Sequence, residues 1–447
     1  MSLNKNFIWG VSCSAYQIEG AEREGGRGES IWDSKFTVGK IPGNMNGKIA
    51  CDHYHKYKED VDLLKKLGIK NYRFSVSWPR IIPDGSGAVN PQGVEFYKDL
   101  VDRLIAADIT PWVTLFHWDL PNKLYEKGGY LNSGISDWFA DYAAKVVGIF
   151  GEKVSNYIIV NEPQCIVEEG HFSGNHAPFL RLSRKETFTV AHNILLCIGK
   201  AEKAMRKAAT HKLDIGIAPC FTPIMPTMEE NRELALKYNF SPTGDFYDGC
   251  YFTDAVIKGE FTDEYKEWFK KNDYNPSESD MKIIKSNLDF FCANLYRGFY
   301  VENTADGIKR KAVCPTDDFS AMDWAVTPDA VDYLTEYYYD RYKMPIILSE
   351  NGVALSEWKT LNGDIPDDMR IDYMKRHIER VKKMSEKYPV KGYFYWSFTD
   401  NFEWTLGYSR RFGLVYIDYE TLERIPKKSA YWYKKVIATN GEDLSTD

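Results

Sequence analysis

Two glutamates carry the clearest chemical signal in this sequence. Glu162 stands in the segment VNEP at 160–163, and Glu350 stands in LSENG at 348–352. Each follows a run rich in β-branched residues, so each is predicted to lie where a strand passes into a loop. Two carboxyl groups on either side of a cleft can divide the work of breaking a glycosidic bond, because one protonates the leaving oxygen and the other meets the positive charge that develops on the sugar. We therefore expect both glutamates to share one site.

The elements that must position these glutamates alternate along the chain between strand-like and helix-like patterns. Asn90 and Pro91, for example, are typical of the N-cap and first turn of a helix. The predicted strands are 7–11, 72–78, 111–116, 154–160, 213–218, 288–294, 345–349 and 390–396. The predicted helices are 54–64, 90–105, 136–150, 185–207, 229–239, 328–342, 369–384 and 427–436.

This alternation predicts an α/β protein that folds as one (β/α)8 TIM barrel with enlarged loops. No Gly/Ser/Pro-rich linker or internal repeat divides the chain, so we expect a single domain over 1–447. A doubly wound open sheet is the alternative, but no G-x-G-x-x-G motif follows the first strand. In a barrel all strands end at one mouth, so Glu162 after the fourth strand and Glu350 after the seventh can face each other across a pocket.

Further polar and aromatic residues fall at the same strand ends. Sugars bind through polar contacts to adjacent hydroxyls combined with aromatic faces against their C–H surfaces. The sequence offers both kinds of side chain at Gln17, Arg73, His117, Asn161, Tyr296, Trp396, Glu403 and Trp404.

Composition narrows the class of partner. The chain has 447 residues, 44% hydrophobic and 27% charged, with a formal charge of −7, which argues against nucleic acid or an anionic membrane and favours a small neutral ligand. The start of the sequence lacks the long apolar stretch of a secretory signal, so we expect a cytoplasmic protein. The eight cysteines form no C-x-x-C pair, so we expect free core thiols and neither a cofactor nor a metal. The sequence leaves the formation of a homo-oligomer open.

The motifs together resemble those of glycoside hydrolase family 1, the β-glucosidase and β-galactosidase group. They occur in the family's order over nearly the whole chain: FIWG at 7–10, YQIEG at 16–20, YRFS at 72–75, HWDLP at 117–121, NEP at 161–163, SENG at 349–352, DNFEW at 400–404 and RFGL at 411–414.

The resemblance implies a retaining double displacement. Glu350 is similar to the family's nucleophile, and Glu162 to the acid that later becomes the base. Arg73 and Tyr296 resemble the partners of the nucleophile, and the resemblance assigns the 2-hydroxyl contact to Asn161. It also assigns the other sugar contacts and the aromatic surfaces: the 3-, 4- and 6-hydroxyls to Gln17, His117, Glu403 and Trp404, the stacking platform to Trp396, and the entrance of the leaving-group subsite to Trp324.

The pair Glu403-Trp404 bears on the subclass. Relatives that act on 6-phosphorylated sugars carry small residues there and a lysine nearby, so the resemblance favours a β-glucosidase acting on small β-glucosides or cello-oligosaccharides. A 6-phospho-β-glycosidase, or a broad β-glucosidase, β-galactosidase and β-fucosidase, is the alternative. The sequence departs from the family pattern at Cys13, Leu295, His171 and Phe179, which puts the leaving-group preference in doubt.

Two functions of other classes are weighed against this one. A sugar-binding protein with a dead site would keep the hydroxyl ligands but lose one carboxylate, and both Glu162 and Glu350 are present. A metal-dependent barrel hydrolase would need clustered ligands at strand ends, whereas His53 and His55 precede a helix with no third ligand evident.

Overall fold

A computed structural model describes residues 3–247, 250–304, 307–310 and 318–446. Its barrel sheet runs in the order β5-β4-β3-β2-β1-β12-β11-β8-β6, and smaller sheets lie outside it in the orders β10-β9-β7 and β13-β14. The strands are β1 Ile8–Ser12, β2 Asn71–Ser75, β3 Thr110–Phe116, β4 Asn156–Asn161, β5 Asp214–Ala218, β6 Cys220–Phe221, β7 Ile224–Pro226, β8 Phe291–Leu295, β9 Phe299–Thr304, β10 Gly307–Arg310, β11 Ile346–Asn351, β12 Val390–Trp396, β13 Val415–Ile417 and β14 Arg424–Pro426.

The fifth barrel strand is broken at Pro219, which has no backbone N–H to donate. The segment before the break, β5, pairs with β4, and the segment after it, β6, pairs with β8. Because these two segments are parts of one strand, the nine-stranded sheet is an eight-stranded parallel barrel. The predicted (β/α)8 TIM barrel is therefore confirmed.

Helices cover the barrel and carry the chain back between strands. Asn90 caps α4 by accepting a hydrogen bond from the backbone N–H of Gln92, as predicted. The α-helices are α1 Ala15–Ile18, α2 His53–Lys66, α3 Trp78–Ile81, α4 Pro91–Ala106, α5 Asn122–Glu126, α6 Ile135–Phe150, α7 Pro163–Val167, α8 Arg184–Ala208, α9 Arg232–Phe240, α10 Tyr251–Thr253, α11 Asp263–Lys271, α12 Glu278–Ile284, α13 Ala330–Tyr342, α14 Asp368–Ser385 and α15 Lys428–Ala438. Short 3-10 segments are Lys35–Thr37, Pro42–Asn44, Gly129–Leu131, Gly151–Lys153, Glu229–Asn231 and Trp404–Leu406, and π-helical turns are Glu168–Phe172 and Asp254–Lys258.

A compact apolar cluster fills the barrel interior beneath the site. It depends on glycine at two places where ring and backbone meet closely: a Cβ on Gly10 would lie 2.4 Å from Phe394, and one on Gly216 would lie 2.3 Å from Phe290. The cluster closes the barrel floor with Trp112, Ile158, Ala218, Phe290, Cys292, Ile347 and Phe394. A pocket at the carboxyl ends of the strands therefore opens at the mouth of the barrel that lies opposite this cluster.

Three sequence expectations need correction. Strand β2 ends at Ser75, and Trp78 begins α3, because its indole packs on the outer helices rather than continuing the sheet. The predicted helix at 229–239 is a 3-10 turn followed by α9. The pair Lys427-Lys428 is a pattern that predicts solvated surface, but Lys427 is buried, since it binds the carboxylates of Glu357 and Asp400.

The cysteines agree with the sequence wherever the structure describes them. Seven are free thiols, all buried except the half-buried Cys220, and Cys314 lies outside the described residues. None of the helices that the structure describes is long and apolar enough to cross a membrane. In the same part of the chain no group of three or more His, Cys, Asp and Glu side chains is arranged to hold a metal ion.

Candidate active site

Glu162 follows the last residue of β4 and turns the chain sharply toward α7. Its backbone lies in the left-handed region, with φ 43° and ψ 66°, which is uncommon for a residue other than glycine. The backbone N–H of Glu162 donates to Ala218 O at 2.8 Å, which ties the turn to the neighbouring strand. The carboxyl group accepts hydrogen bonds from Asn294 Nδ2 at 2.8 Å and from Cys165 Sγ at 3.1 Å. Backbone and side chain are thus both held in place.

Glu350 lies within β11 rather than after it, because the strand extends to Asn351. A shift in register against β8 between Leu348 and Glu350 changes the local direction of the strand. The carboxylate is paired with the guanidinium of Arg73 and accepts a hydrogen bond from Tyr296 Oη at 2.7 Å. The structure therefore brings Arg73 and Tyr296 onto Glu350, as the sequence predicted.

Arg73 connects three strands of the barrel. Its guanidinium donates to Asn161 Oδ1 at 2.6 Å, to Thr114 Oγ1 at 3.1 Å and to Ser349 O at 3.2 Å. Asn161 in turn shares a hydrogen bond of 3.1 Å with His117 Nε2. The predicted residues Arg73, Asn161, His117 and Glu350 therefore form one connected polar layer above the apolar floor.

Asn294 was missed by the sequence reasoning and bridges the two glutamates. Its amide donates to Glu162 Oε1 at 2.8 Å and to Asn161 Oδ1 at 3.0 Å, and the same amide lowers the pKa of Glu350. Ser349 Oγ donates to Asn294 Oδ1 at 2.7 Å and fixes the orientation of the amide. The available signal was its position two residues before Tyr296, at the end of a predicted strand.

The two glutamates differ in what surrounds them. Burial and the nearby charge of Glu350 raise the pKa of Glu162 to about 7, and no cation contacts Glu162 in the described part of the chain. Burial also raises the pKa of Glu350, but the charge of Arg73 and the hydrogen bond from Tyr296 oppose that increase. Near neutral pH this asymmetry favours a proton on Glu162 and a charge on Glu350.

The opposite wall carries the expected sugar-binding side chains. Gln17 Nε2 donates to Asn401 Oδ1 at 3.0 Å and to Phe402 O at 2.9 Å, and lies 3.4 Å from Glu403 Oε2. Burial, followed by the charges of Glu350 and Glu162, raises the pKa of Glu403 to about 8. The carboxyl groups of Glu162, Glu350 and Glu403 therefore lie in a single pocket, where the charges of the first two act on the third.

Aromatic rings line the same wall. The His117 ring stacks 5.7 Å from Trp396 and 6.0 Å from Trp404, at interplanar angles of 20° and 19°. Burial, and then the charge of Arg73, hold the pKa of His117 well below its usual range. A neutral imidazole between two indoles suits contact with an uncharged polyol.

Trp324 lies on a loop at the mouth, where its ring is 5.4 Å from Tyr296 and 6.4 Å from Phe412. The four departures from the family pattern have separate surroundings, and the ring of Phe179 lies 6.1 Å from that of Trp32. Cys13 and Leu295 are buried beneath the pocket, and His171 donates from Nδ1 to Ile166 O at 2.7 Å. The backbone of Phe179 has φ 58°, in the left-handed region that favours glycine.

Fold and site together define a (β/α)8 barrel with a carboxyl pair and a wall of polar and aromatic side chains at its mouth. The model of the family described as glycosyl hydrolase family 1 matches residues 1–442. Beta-glucosidase A of Thermotoga maritima is 38% identical over 444 residues, which cover 98% of this chain and 98% of the relative. Beta-glucosidase A of Acetivibrio thermocellus is 39% identical over 447 residues, again 98% of each chain.

A solved structure also matches nearly the whole chain. The β-glucosidase from Thermotoga maritima in complex with deoxynojirimycin has a TM-score of 0.91 at 36% identity, and the match covers 99% of this chain and 100% of that one. The chain therefore belongs to glycosyl hydrolase family 1, and the family predicted from the motifs is confirmed.

Proposed function

We propose that the protein is a retaining β-glucosidase that removes the terminal non-reducing glucosyl residue from small β-glucosides and cello-oligosaccharides. The observation that carries this proposal is the unequal pair of glutamates. Glu350 is bound by Arg73 and Tyr296, whereas Glu162 has no contacting cation among the described residues and has its pKa raised to about 7. The relatives named β-glucosidase A support the choice of glucose.

In the first step, a carboxylate oxygen of Glu350 attacks the anomeric carbon as the bond to the leaving oxygen breaks. Glu162 gives its proton to that oxygen, and a glycosyl ester of Glu350 forms. Arg73 and Tyr296 hold the attacking carboxylate in one orientation, so little reorganisation is needed as its charge is lost.

In the second step, Glu162 acts as a carboxylate and accepts a proton from water. The water oxygen attacks the anomeric carbon, the ester bond to Glu350 breaks, and glucose leaves with its β configuration retained. Asn294 donates to Glu162 and lowers the pKa of Glu350, so we assign it a positioning role in both steps. Asn161 is assigned the 2-hydroxyl contact, which strengthens in the transition state.

Gln17, His117, Glu403 and Trp404 are assigned the remaining hydroxyls, Trp396 the stacking platform, and Trp324 the leaving group. Glu403 favours an unphosphorylated sugar, because a phosphate dianion would enter a pocket that already holds three acidic groups. A 6-phospho-β-glycosidase would need a cation to receive the phosphate, and Arg410 is a cation whose charge lowers the pKa of Glu403.

The proposal is tested by a panel of aryl β-glycosides, with and without a 6-phosphate, beside cellobiose and longer cello-oligosaccharides. We expect kcat/KM for the glucoside to exceed that for its 6-phosphate by at least about a hundredfold, the scale of an unpaired buried polar group. Equal or better turnover of the 6-phosphate would overturn the substrate class. Comparable rates on the galactoside and fucoside would instead identify the broad enzyme.

The proposal includes one domain for the whole chain and a cytoplasmic location. The seven free thiols in the described residues suit a reducing compartment. Fractionation of the source cells, with activity measured in the cytoplasmic and extracellular fractions, tests the location.

A further inference from the structure

Arg297 is a half-buried cation on the rim of the pocket. It directly follows Tyr296, and its guanidinium carbon lies 5.1 Å from the ring centroid of Trp324 and 5.0 Å from that of Phe299. The two rings hold the planar guanidinium from its faces and leave its N–H donors to point elsewhere.

A chain of contacts connects Arg297 with the nucleophile that is proposed to attack the sugar. Trp324 packs on Tyr296, whose hydroxyl binds Glu350, so Arg297 and the nucleophile share one aromatic support. The charges also act on a common group: burial and then the charges of Glu162 and Glu350 raise the pKa of the Cys220 thiol, while Arg297 lowers it. Through Trp324 and Tyr296, Arg297 is therefore linked to the nucleophile.

Arg297 differs from the arginines of the barrel in having no acceptor among the residues that the structure describes. Arg73, Arg80 and Arg370 each bind a carboxylate. Among the described residues no hydrogen bond or ion pair is formed by Arg297, and burial lowers its pKa, opposed only by Cys220 and Tyr247. A guanidinium carries five donors, and removing it from water without an anion is unfavourable. The missing anion is therefore expected to arrive with a ligand.

We propose that Arg297 forms a subsite for an anionic group of the leaving group, so that the protein prefers β-glucosides whose aglycone carries a carboxylate. The aglycone ring lies against Trp324, and its carboxylate accepts hydrogen bonds from Arg297. This inference rests on the proposed function, since it assumes that a glucoside occupies the pocket with its leaving group toward Trp324.

The test compares 4-(carboxymethyl)phenyl β-glucoside with its neutral amide, 4-(carbamoylmethyl)phenyl β-glucoside. The methylene group keeps the two phenols similar as leaving groups, so the difference reports binding of the charge. We expect kcat/KM for the carboxylate to exceed that for the amide at least fivefold, mainly through KM. We expect this preference to fall as salt is added.

Variants then locate the preference. Arg297→Met keeps the length of the side chain and should reduce the ratio to about one, whereas Arg297→Lys should keep part of it. Arg23→Met removes the same charge from a side chain that is 86% exposed and should leave the ratio as it was. Because each ratio is measured within one variant, a general loss of activity cancels.

The outcomes separate the two proposals. If the unaltered protein hydrolyses the amide but shows no preference for the carboxylate, or if Arg297→Met retains the preference, the subsite is wrong and the proposed function stands. If neither glucoside is hydrolysed, the proposed function fails and the subsite fails with it. The preference of the unaltered protein and its salt dependence decide the matter even where a variant does not fold.

Discussion

The two halves of the pocket are built differently. On the donor side, Arg73, Asn161 and Glu350 are at most 3% exposed and are joined by hydrogen bonds that cross between barrel strands. On the proposed leaving-group side, Trp324 is half-buried and lies on a loop. Under the proposed function, the barrel therefore determines where the sugar is cleaved, while loops at the mouth determine which leaving group fits. Substitutions in the two halves should differ in whether their effect depends on the leaving group.

The largest effect is expected from Glu350→Ala. Without the nucleophile no glycosyl ester can form, so kcat should fall by at least about 10^4-fold for every leaving group. Steady-state rates on several aryl β-glucosides check this, with circular dichroism to confirm folding. A loss that shrank as the leaving group became more reactive would place Glu350 in the role of the acid.

Glu162→Ala should reduce hydrolysis by an amount that depends on the leaving group. A reactive leaving group departs without a proton, so the loss should be small for 2,4-dinitrophenyl β-glucoside and at least about a hundredfold for phenyl β-glucoside. Added azide should restore turnover and give a β-glycosyl azide, identified by NMR. Indifference to the leaving group would contradict the acid and base role of Glu162.

Glu403→Gln should reduce glucoside hydrolysis and yet stabilise the fold. The pKa of Glu403 is about 8 in the folded protein, above its ordinary value of 4.5, so the folded state holds a proton that the unfolded state releases. Glu403 therefore destabilises the fold increasingly as pH rises from about 4.5 to 8, and glutamine should remove about 1 kcal/mol or more of that cost.

Chemical unfolding at pH 4.5 and pH 8 measures this effect. The gain from Glu403→Gln should appear at the higher pH and be nearly absent at the lower. The exposed Glu379→Gln is the matched control and should show no such gain. A gain that is equal at both pH values would show that Glu403 is not held as an acid in the pocket.

The smallest effect concerns Cys165, whose thiol donates to Glu162 and lowers its pKa. Activity requires a proton on Glu162, so kcat/KM should fall as pH rises through about 7. Removing the donor in Cys165→Ala should move this basic limb upward by a few tenths of a pH unit, with the acidic limb unchanged. If the basic limb moved to lower pH instead, the thiol of Cys165 would not stabilise the carboxylate form of Glu162.

Most of the barrel and donor side could be predicted from sequence, for a physical reason. Strands have a residue pattern of their own, and their ends meet at one mouth, so motifs at those ends must converge. Asn294 also ends a predicted strand, but its position alone did not identify it, because its importance depends on two carboxylates that approach it from other strands. The pattern around Lys427 is misleading for the same reason: a lysine pair is typical of a surface, and only the fold brings Glu357 and Asp400 to it.

The central claim is that Glu350 forms a covalent bond to the sugar, and trapping that intermediate tests it most directly. A 2-fluoro-substituted aryl β-glucoside slows both steps, and a reactive leaving group lets the ester accumulate. Mass spectrometry of the peptic digest should show one added fluoroglucosyl group, on the peptide that contains Glu350. Inactivation without an adduct, or an adduct on another residue, would contradict the account.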